Sequence, residues 1–121
     1  NDEAYEAIGC AHLRSGNYQP AETYLRKALD INPNSASVRR NLSVLLSHTG
    51  RSRESMKELK LSYSLNPEDY LTIYALGMMY QSIRNTAAAS EMFEKLANAK
   101  NAPTEIRRQG ERRYLELSIG W

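Results

Sequence analysis

The chain has 121 residues, of which 41% are hydrophobic and 25% are charged, and its formal net charge is +2. This is the composition of one soluble globular domain rather than of a disordered segment, and no apolar run approaches the roughly 20 residues of a membrane span. One cysteine, Cys10, rules out an internal disulfide, and two histidines 36 residues apart make no metal-binding spacing. Because the chain starts at Asn1 without a methionine, we expect a fragment of a longer protein, so the lack of a targeting signal assigns no compartment.

The sequence repeats with a period of 34 residues, which the spacing of Pro33 and Pro67 shows most directly. Gly16 recurs as Gly50 at the same spacing. The other patterned positions of the first repeat are Tyr5, Ile8, Gly9, His12, Tyr18, Ala21, Leu25 and Ala28. This order of aromatic, apolar and small residues with a closing proline resembles the tetratricopeptide repeat. The resemblance implies three pairs of antiparallel helices, at about residues 2–34, 35–68 and 69–102.

In the first predicted pair, Asn1 or Asp2 caps the first helix. Gly16 lets the chain reverse, because glycine adopts a left-handed backbone without steric cost. The second helix ends at Asn32-Pro33, since the residue before a proline avoids the α region.

In the second pair, Ser35 caps the first helix, Gly50 forms the turn and Ser52 caps the second helix. This pair departs most from the family pattern, and we expect it to be the least stable of the three. Arg39 stands where an aromatic residue is usual, and we expect its stem to cover its neighbours while its guanidinium stays in water. Serines replace small apolar residues at three positions, Ser43, Ser55 and Ser62.

In the third pair, the first helix is predicted over residues 71–80. Arg84 and Asn85 take the place of the turn glycine, and we expect Asn85 to adopt the left-handed conformation because asparagine tolerates it. Thr86 then caps the second helix.

Residues 104–118 are predicted to form a seventh helix, capped by Thr104. Gly110 in its middle costs about 1 kcal/mol relative to alanine, which is explained if it lets this helix press closely on the preceding one. We favour a capping helix that shields the third repeat from water over the first helix of a fourth repeat. The expected fold is therefore all-α: a right-handed α-solenoid of three helix-turn-helix repeats plus a C-terminal capping helix.

The sequence holds no recognisable catalytic, cofactor-binding or metal-binding motif. Cys10 and His12 lie two residues apart on a predicted helix and so point to different faces, which argues against a nucleophilic pair. We therefore expect no enzyme activity, no cofactor and no metal site. The basic residues Arg51, Arg53, Lys57 and Lys60 fall on a helix that the resemblance places on the outer wall, so a solvated face is favoured over nucleic-acid binding.

The resemblance implies that the first helix of each pair lines a concave groove that binds a peptide or helical segment of a partner protein. The candidate groove residues are Glu3, Glu6, Cys10, Arg14, Arg40, Asn41, Val44, His48, Leu71, Tyr74, Met78, Gln81, Arg108 and Arg112. From the N-terminal to the C-terminal edge of the groove, these residues change from acidic through apolar to basic. An alternative interpretation is that Leu71 and Met78 are core residues, because a small error in helix phase would turn them inward.

The predicted function is therefore protein–protein interaction, with Leu71, Tyr74 and Met78 as apolar anchors. Arginines would pair with acidic residues of the partner, whereas Glu3 and Glu6 would prefer basic ones. Glu6 would also repel a terminal carboxylate, so the carboxylate clamp of chaperone adaptors is not expected. The alternative is self-assembly through the open face of the first helix and the apolar tail 119–121.

Overall fold

The computed structural model describes residues 1–119, and every regular element in that part of the chain is an α-helix. In chain order the helices are α1 (Asp2–Arg14), α2 (Tyr18–Ile31), α3 (Ala36–His48), α4 (Ser52–Leu65), α5 (Tyr70–Ser82), α6 (Thr86–Ala97) and α7 (Thr104–Ser118). Gly120 and Trp121, the end of the predicted apolar tail, lie outside the described residues.

The helices form two compact units. The first unit, Asn1–Asn66, contains α1 to α4: α1 packs on α2, α2 on α3, and α3 on α4. The second unit begins at Pro67 and contains α5 to α7, with α6 packed between its two neighbours. The predicted helix pairs are thus present.

The core of the first unit is made of small and branched apolar side chains from α2 and α3. They are Ala21, Leu25, Ala28, Val38, Leu42, Leu45 and Leu46. Gly9 of α1 is buried against this core, and a Cβ atom there would lie 2.9 Å from Leu25 Cδ2. The missing side chain therefore sets how closely α1 approaches α2.

The core of the second unit is built around Phe93, which is fully buried on α6. Gly77 of α5 lies against its ring, where a Cβ atom would be 2.7 Å from Phe93 Cε1. Gly110 of α7 lies close to Leu96 in the same way, and a Cβ atom there would be 2.9 Å from Leu96 Cβ. This confirms that Gly110 allows α7 to press on α6, which is expected both of a capping helix and of a further repeat.

Two of the predicted helix caps are confirmed. The Asn1 side chain accepts a hydrogen bond from the Ala4 backbone N–H at 2.7 Å. The Ser35 hydroxyl accepts one from the Val38 backbone N–H at 3.3 Å. Each cap satisfies one of the backbone donors that the first helical turn leaves without a partner.

Three other predicted caps are wrong by one residue. Ser52, Thr86 and Thr104 are the first residues of their helices, and the cap positions belong to Arg51, Asn85 and Pro103. For α4 and α6 the cause is the preceding turn, which one hydrogen bond closes in the same way as in the turn before α2. The bonds are Asn17 N–H to His12 C=O, Arg51 N–H to Leu46 C=O, and Asn85 N–H to Tyr80 C=O.

The left-handed residue of the third turn is Arg84, not Asn85 as predicted. Gly16, Gly50 and Arg84 have φ angles of 79°, 78° and 63°, whereas Asn85 has φ of −84°. The backbone turn fixes the left-handed position at the same point of each repeat, and the side-chain preference of asparagine does not move it. Asn85 instead caps α6 by accepting a hydrogen bond from the Ala88 N–H.

The second helix pair replaces apolar contacts by polar ones. Arg39 does not keep its guanidinium in water: Nη1 lies 2.7 Å from Glu58 Oε2 on α4, and Nε donates to the Pro33 carbonyl. The Ser55 hydroxyl donates to the Ser43 carbonyl at 2.6 Å, and the Ser62 hydroxyl donates to the Ala36 carbonyl at 2.8 Å. These bonds satisfy the serine hydroxyls that the interface buries.

Candidate partner-binding faces

In the first unit, α1 and α3 bring together three of the predicted groove residues. The Asn41 side-chain amide donates to Glu6 Oε2 at 3.3 Å and to Cys10 Sγ at 3.2 Å. We call the surface formed by Glu6, Cys10, Arg14, Arg40 and Asn41 the α1/α3 face. It is polar, and its hydrogen bonds fix the orientation of the Asn41 amide.

The Cys10 thiol is half-buried in this face. Burial raises the pKa of the thiol above its ordinary value, and the nearby Glu6 carboxylate raises it further, while Arg14 and Arg40 act in the opposite direction. A raised pKa keeps the thiol protonated near neutral pH, so Cys10 is a weak nucleophile. The sulfur serves this face as a hydrogen-bond acceptor.

Each of the two histidines stacks on a tyrosine ring. His12 stacks on Tyr24 with ring centroids 5.9 Å apart, on a different side of α1 from Cys10. His48, a predicted groove residue, stacks on Tyr18 of α2 at 5.5 Å and does not join the Glu6–Asn41 hydrogen bonds. The prediction that Cys10 and His12 point to different faces is confirmed.

The remaining groove candidates of the first unit, Glu3 and Val44, are exposed. Val44 lies on α3 between the buried residues Ser43 and Leu45. Its exposure shows that α3 presents an apolar side chain on a face that the core does not use.

In the second unit, α5 carries an apolar stripe on its surface. Leu71 and Met78 are 42% and 36% exposed, and Tyr74 between them is half-buried. The buried residues of α5 are Thr72, Ile73, Leu76 and Gly77, on the opposite side. The alternative interpretation that Leu71 and Met78 belong to the core is therefore wrong.

The next residue along this stripe, Gln81, is engaged by α7. Its side-chain carbonyl accepts a hydrogen bond from Arg113 Nη1 at 3.1 Å, and the Arg113 guanidinium lies 5.8 Å from the centre of the Phe93 ring. Sequence reasoning missed Arg113 and chose Arg108 and Arg112. The available signal was its position three residues after Gly110, on the side of α7 that faces α6.

The polar side chains of α7 line a shallow depression. It is bordered by Gln109, Arg112, Arg113 and Glu116. Arg108, also predicted for the groove, is exposed but does not line it. We call Leu71, Tyr74, Met78 and Gln81 together with this depression the α5/α7 face.

One of the basic residues at the start of α4, Arg51, forms an ion pair with Glu22 inside the first unit. Arg51 donates to both carboxylate oxygens of Glu22 on α2, at 3.2 Å and 2.5 Å. Arg26 reaches the same carboxylate at 2.9 Å. The hydrogen bond from Arg51 is the main reason why the pKa of Glu22 lies below its ordinary value.

Within residues 1–119, no three His, Cys, Asp or Glu side chains come close enough together to hold a metal ion. The helices of this part of the chain also include none with the length and apolar character needed to cross a membrane.

Comparison with known proteins identifies the repeat. Residues 2–35 and residues 72–103 each match a family model described as tetratricopeptide repeat. The mouse protein DnaJ homolog subfamily C member 7 is 29% identical over 93 residues, which cover 77% of this chain and 19% of the relative. The chain thus spans less than a fifth of the length of this curated relative.

Solved structures show the same fold at low sequence identity. The chaperone SycD of Yersinia enterocolitica, in complex with a peptide of the translocator YopD, matches with a TM-score of 0.86 at 10% identity, over 98% of this chain and 92% of that chain. The TPR2B domain of yeast Sti1, in a complex with pHsp70, matches with a TM-score of 0.82 at 14% identity, over 99% of this chain and 98% of that chain.

Proposed function

The chain belongs to the tetratricopeptide repeat family, and we propose that it is a protein-interaction scaffold that binds a peptide or helical segment of a partner protein. The binding surfaces are the α1/α3 face and the α5/α7 face, which carry ten of the fourteen predicted groove residues. The family fold is one of protein interaction rather than catalysis. We accordingly assign no reaction to this chain.

The observation that carries the proposal is the apolar stripe on α5. Leu71 and Met78 leave large apolar side chains in water, although neighbouring positions of the same helix are fully buried. Apolar side chains grouped on the surface mark interaction sites more often than isolated ones do. Methionine adds adaptability, because its unbranched thioether fits side chains of different shapes.

The related structures support the same interpretation. SycD holds a peptide of YopD, and the TPR2B domain of Sti1 forms a complex with pHsp70. Both are partner complexes of domains with this fold.

The proposal predicts that Tyr74→Ala combined with Met78→Ala strongly weakens partner binding. Short random peptides displayed on phage are selected on the wild-type protein, and the affinity of the selected peptides is measured for each variant. Loss of two apolar anchors should weaken binding by roughly thirtyfold or more, since each central anchor contributes on the order of 1–2 kcal/mol. Circular dichroism should show unchanged helicity.

The matched control removes two exposed apolar side chains elsewhere in the second unit. Ile83→Ala combined with Leu115→Ala changes residues that are exposed but are not part of the stripe. This control should bind the selected peptides as the wild type does. Equal affinity of the Tyr74/Met78 variant and the wild type would show that the α5 stripe is not the binding surface.

A second candidate function, self-assembly, is favoured by one observation on α1. Ile8 is 41% exposed, whereas Leu42, at the same point of the next repeat, is fully buried in the core beside α2. In the second repeat this position is therefore a packing position, whereas in α1 the equivalent side chain of Ile8 is exposed to solvent. A second copy of the chain could supply the cover.

A further inference from the structure

Two adjacent arginines of α7 differ in how they are held. Arg113 is bonded to Gln81 of α5 and lies over the ring of Phe93, so its guanidinium is part of the packing of the second unit. Arg112 lines the same depression but is exposed. Arg113 thus builds the site, and Arg112 presents its charge to the solvent.

One hydrogen bond connects the depression to the apolar stripe of α5. Leu71, Tyr74, Met78 and Gln81 follow at intervals of three, four and three residues, which places them on one side of the helix. The hydrogen bond from Arg113 joins the last of them to α7. An occupant of the stripe that extends past Met78 therefore reaches the border formed by Gln109, Arg112 and Glu116.

The charges along the stripe are not symmetric. Asp69 caps the start of α5, and Glu68 precedes it, so the end of the stripe near Leu71 is acidic. Arg112 and Arg113 lie at the other end, where Glu116 is the single carboxylate among the residues that line the depression. Arginine is also the side chain best suited to hold a carboxylate, because its planar donors match the two oxygens.

We propose that the α5/α7 face selects a partner segment with apolar side chains over Leu71 and Met78 and an Asp or Glu side chain paired with Arg112. This rests on the proposed function and names the chemistry of the partner. Seven residues of helix separate Leu71 from Met78 by about 10 Å. A segment in the polyproline II conformation matches that distance with two apolar side chains three residues apart, which lie on the same side because this helix has three residues per turn.

The test compares peptides selected on three forms of the protein. Short random peptides displayed on phage are selected in parallel on the wild type, on Arg112→Glu and on Arg108→Glu. The last is a matched control, because it makes the same change of charge one helical turn away, on a residue that does not line the depression. Wild-type selections should be enriched in Asp or Glu beyond the apolar anchors.

The Arg112→Glu protein should bind these acidic peptides about tenfold or more weakly and should itself select Lys or Arg at the same peptide position. The Arg108→Glu protein should keep the wild-type preference. Equal losses in both variants, or selected peptides without an acidic preference, would overturn the inference.

These outcomes are separable from failure of the proposed function. Peptides that lose affinity for the Tyr74/Met78 variant but show no acidic preference leave the proposed function in place and remove only the pairing with Arg112. A wild-type protein that selects no peptide at all contradicts both.

Discussion

Arg84 holds a backbone conformation that is unfavourable for any residue with a side chain. Its φ angle of 63° lies in the left-handed region, where Gly16 and Gly50 stand in the other two turns. A residue with a Cβ atom costs about 1–2 kcal/mol there. The third turn therefore stores strain that the first two avoid.

We predict that Arg84→Gly stabilises the protein by about 0.5–1 kcal/mol, because the relief of strain exceeds the extra entropy that glycine loses on folding. The measurement is the midpoint of urea denaturation. Asn85→Ala is the control: it removes the hydrogen bond to the Ala88 N–H and should destabilise by about 1 kcal/mol. Were Asn85→Gly the stabilising change instead, the assignment of the left-handed residue would be wrong.

The sequence predicted the features that follow from the repeat period and from helical spacing. It did not predict the contacts that long side chains make. The period of 34 residues located Gly16 and Gly50 in their turns, and helical spacing separated the exposed Met78 from the buried Gly77. The contact of Arg113 with Gln81 was not predictable, because a long side chain can reach several neighbours and only packing selects one. The caps at Ser52 and Thr86 failed because the turn, and not the side chain, sets the start of those helices.

At the scale of helices, an ion pair ties α2 to the start of α4. Glu22 accepts hydrogen bonds from Arg51, which is the N-cap residue of α4. Arg51 holds the pKa of Glu22 below its ordinary value of 4.5, although burial acts in the opposite direction. The stabilisation from this pair is therefore present above pH 4.5 and is lost as the pH falls through the lower pKa of the folded state.

This linkage predicts a pH-dependent effect of Glu22→Gln. The variant should melt at a lower temperature than the wild type at neutral pH, and the difference should shrink as the pH is lowered below 4.5. Glu54→Gln is the matched control, because that carboxylate lies 3.9 Å from Arg26 and is more exposed. A difference in melting temperature that stays constant from neutral to acidic pH would contradict the linkage.

At the scale of the whole molecule, the question is whether the side of α1 that exposes Ile8 binds a second copy of the chain. The self-assembly candidate predicts that the sedimentation coefficient rises with protein concentration and that Ile8→Asp abolishes the rise, because a charge cannot be buried in an apolar contact without a partner. A chain that stays monomeric up to ~100 μM removes this candidate. An unchanged rise in Ile8→Asp would place the contact elsewhere.

The serine hydroxyls between α3 and α4 have a consequence for motion. Ser55 and Ser62 each bind one carbonyl of the facing helix, seven residues apart on α4 and on α3. Apolar contacts would let two helices slide along each other in small steps, but a slide here would pull both hydroxyls away from their acceptors at once. The two hydrogen bonds therefore fix the register of α3 relative to α4. They also fix the position of Asn41 and Val44 along the helix pair.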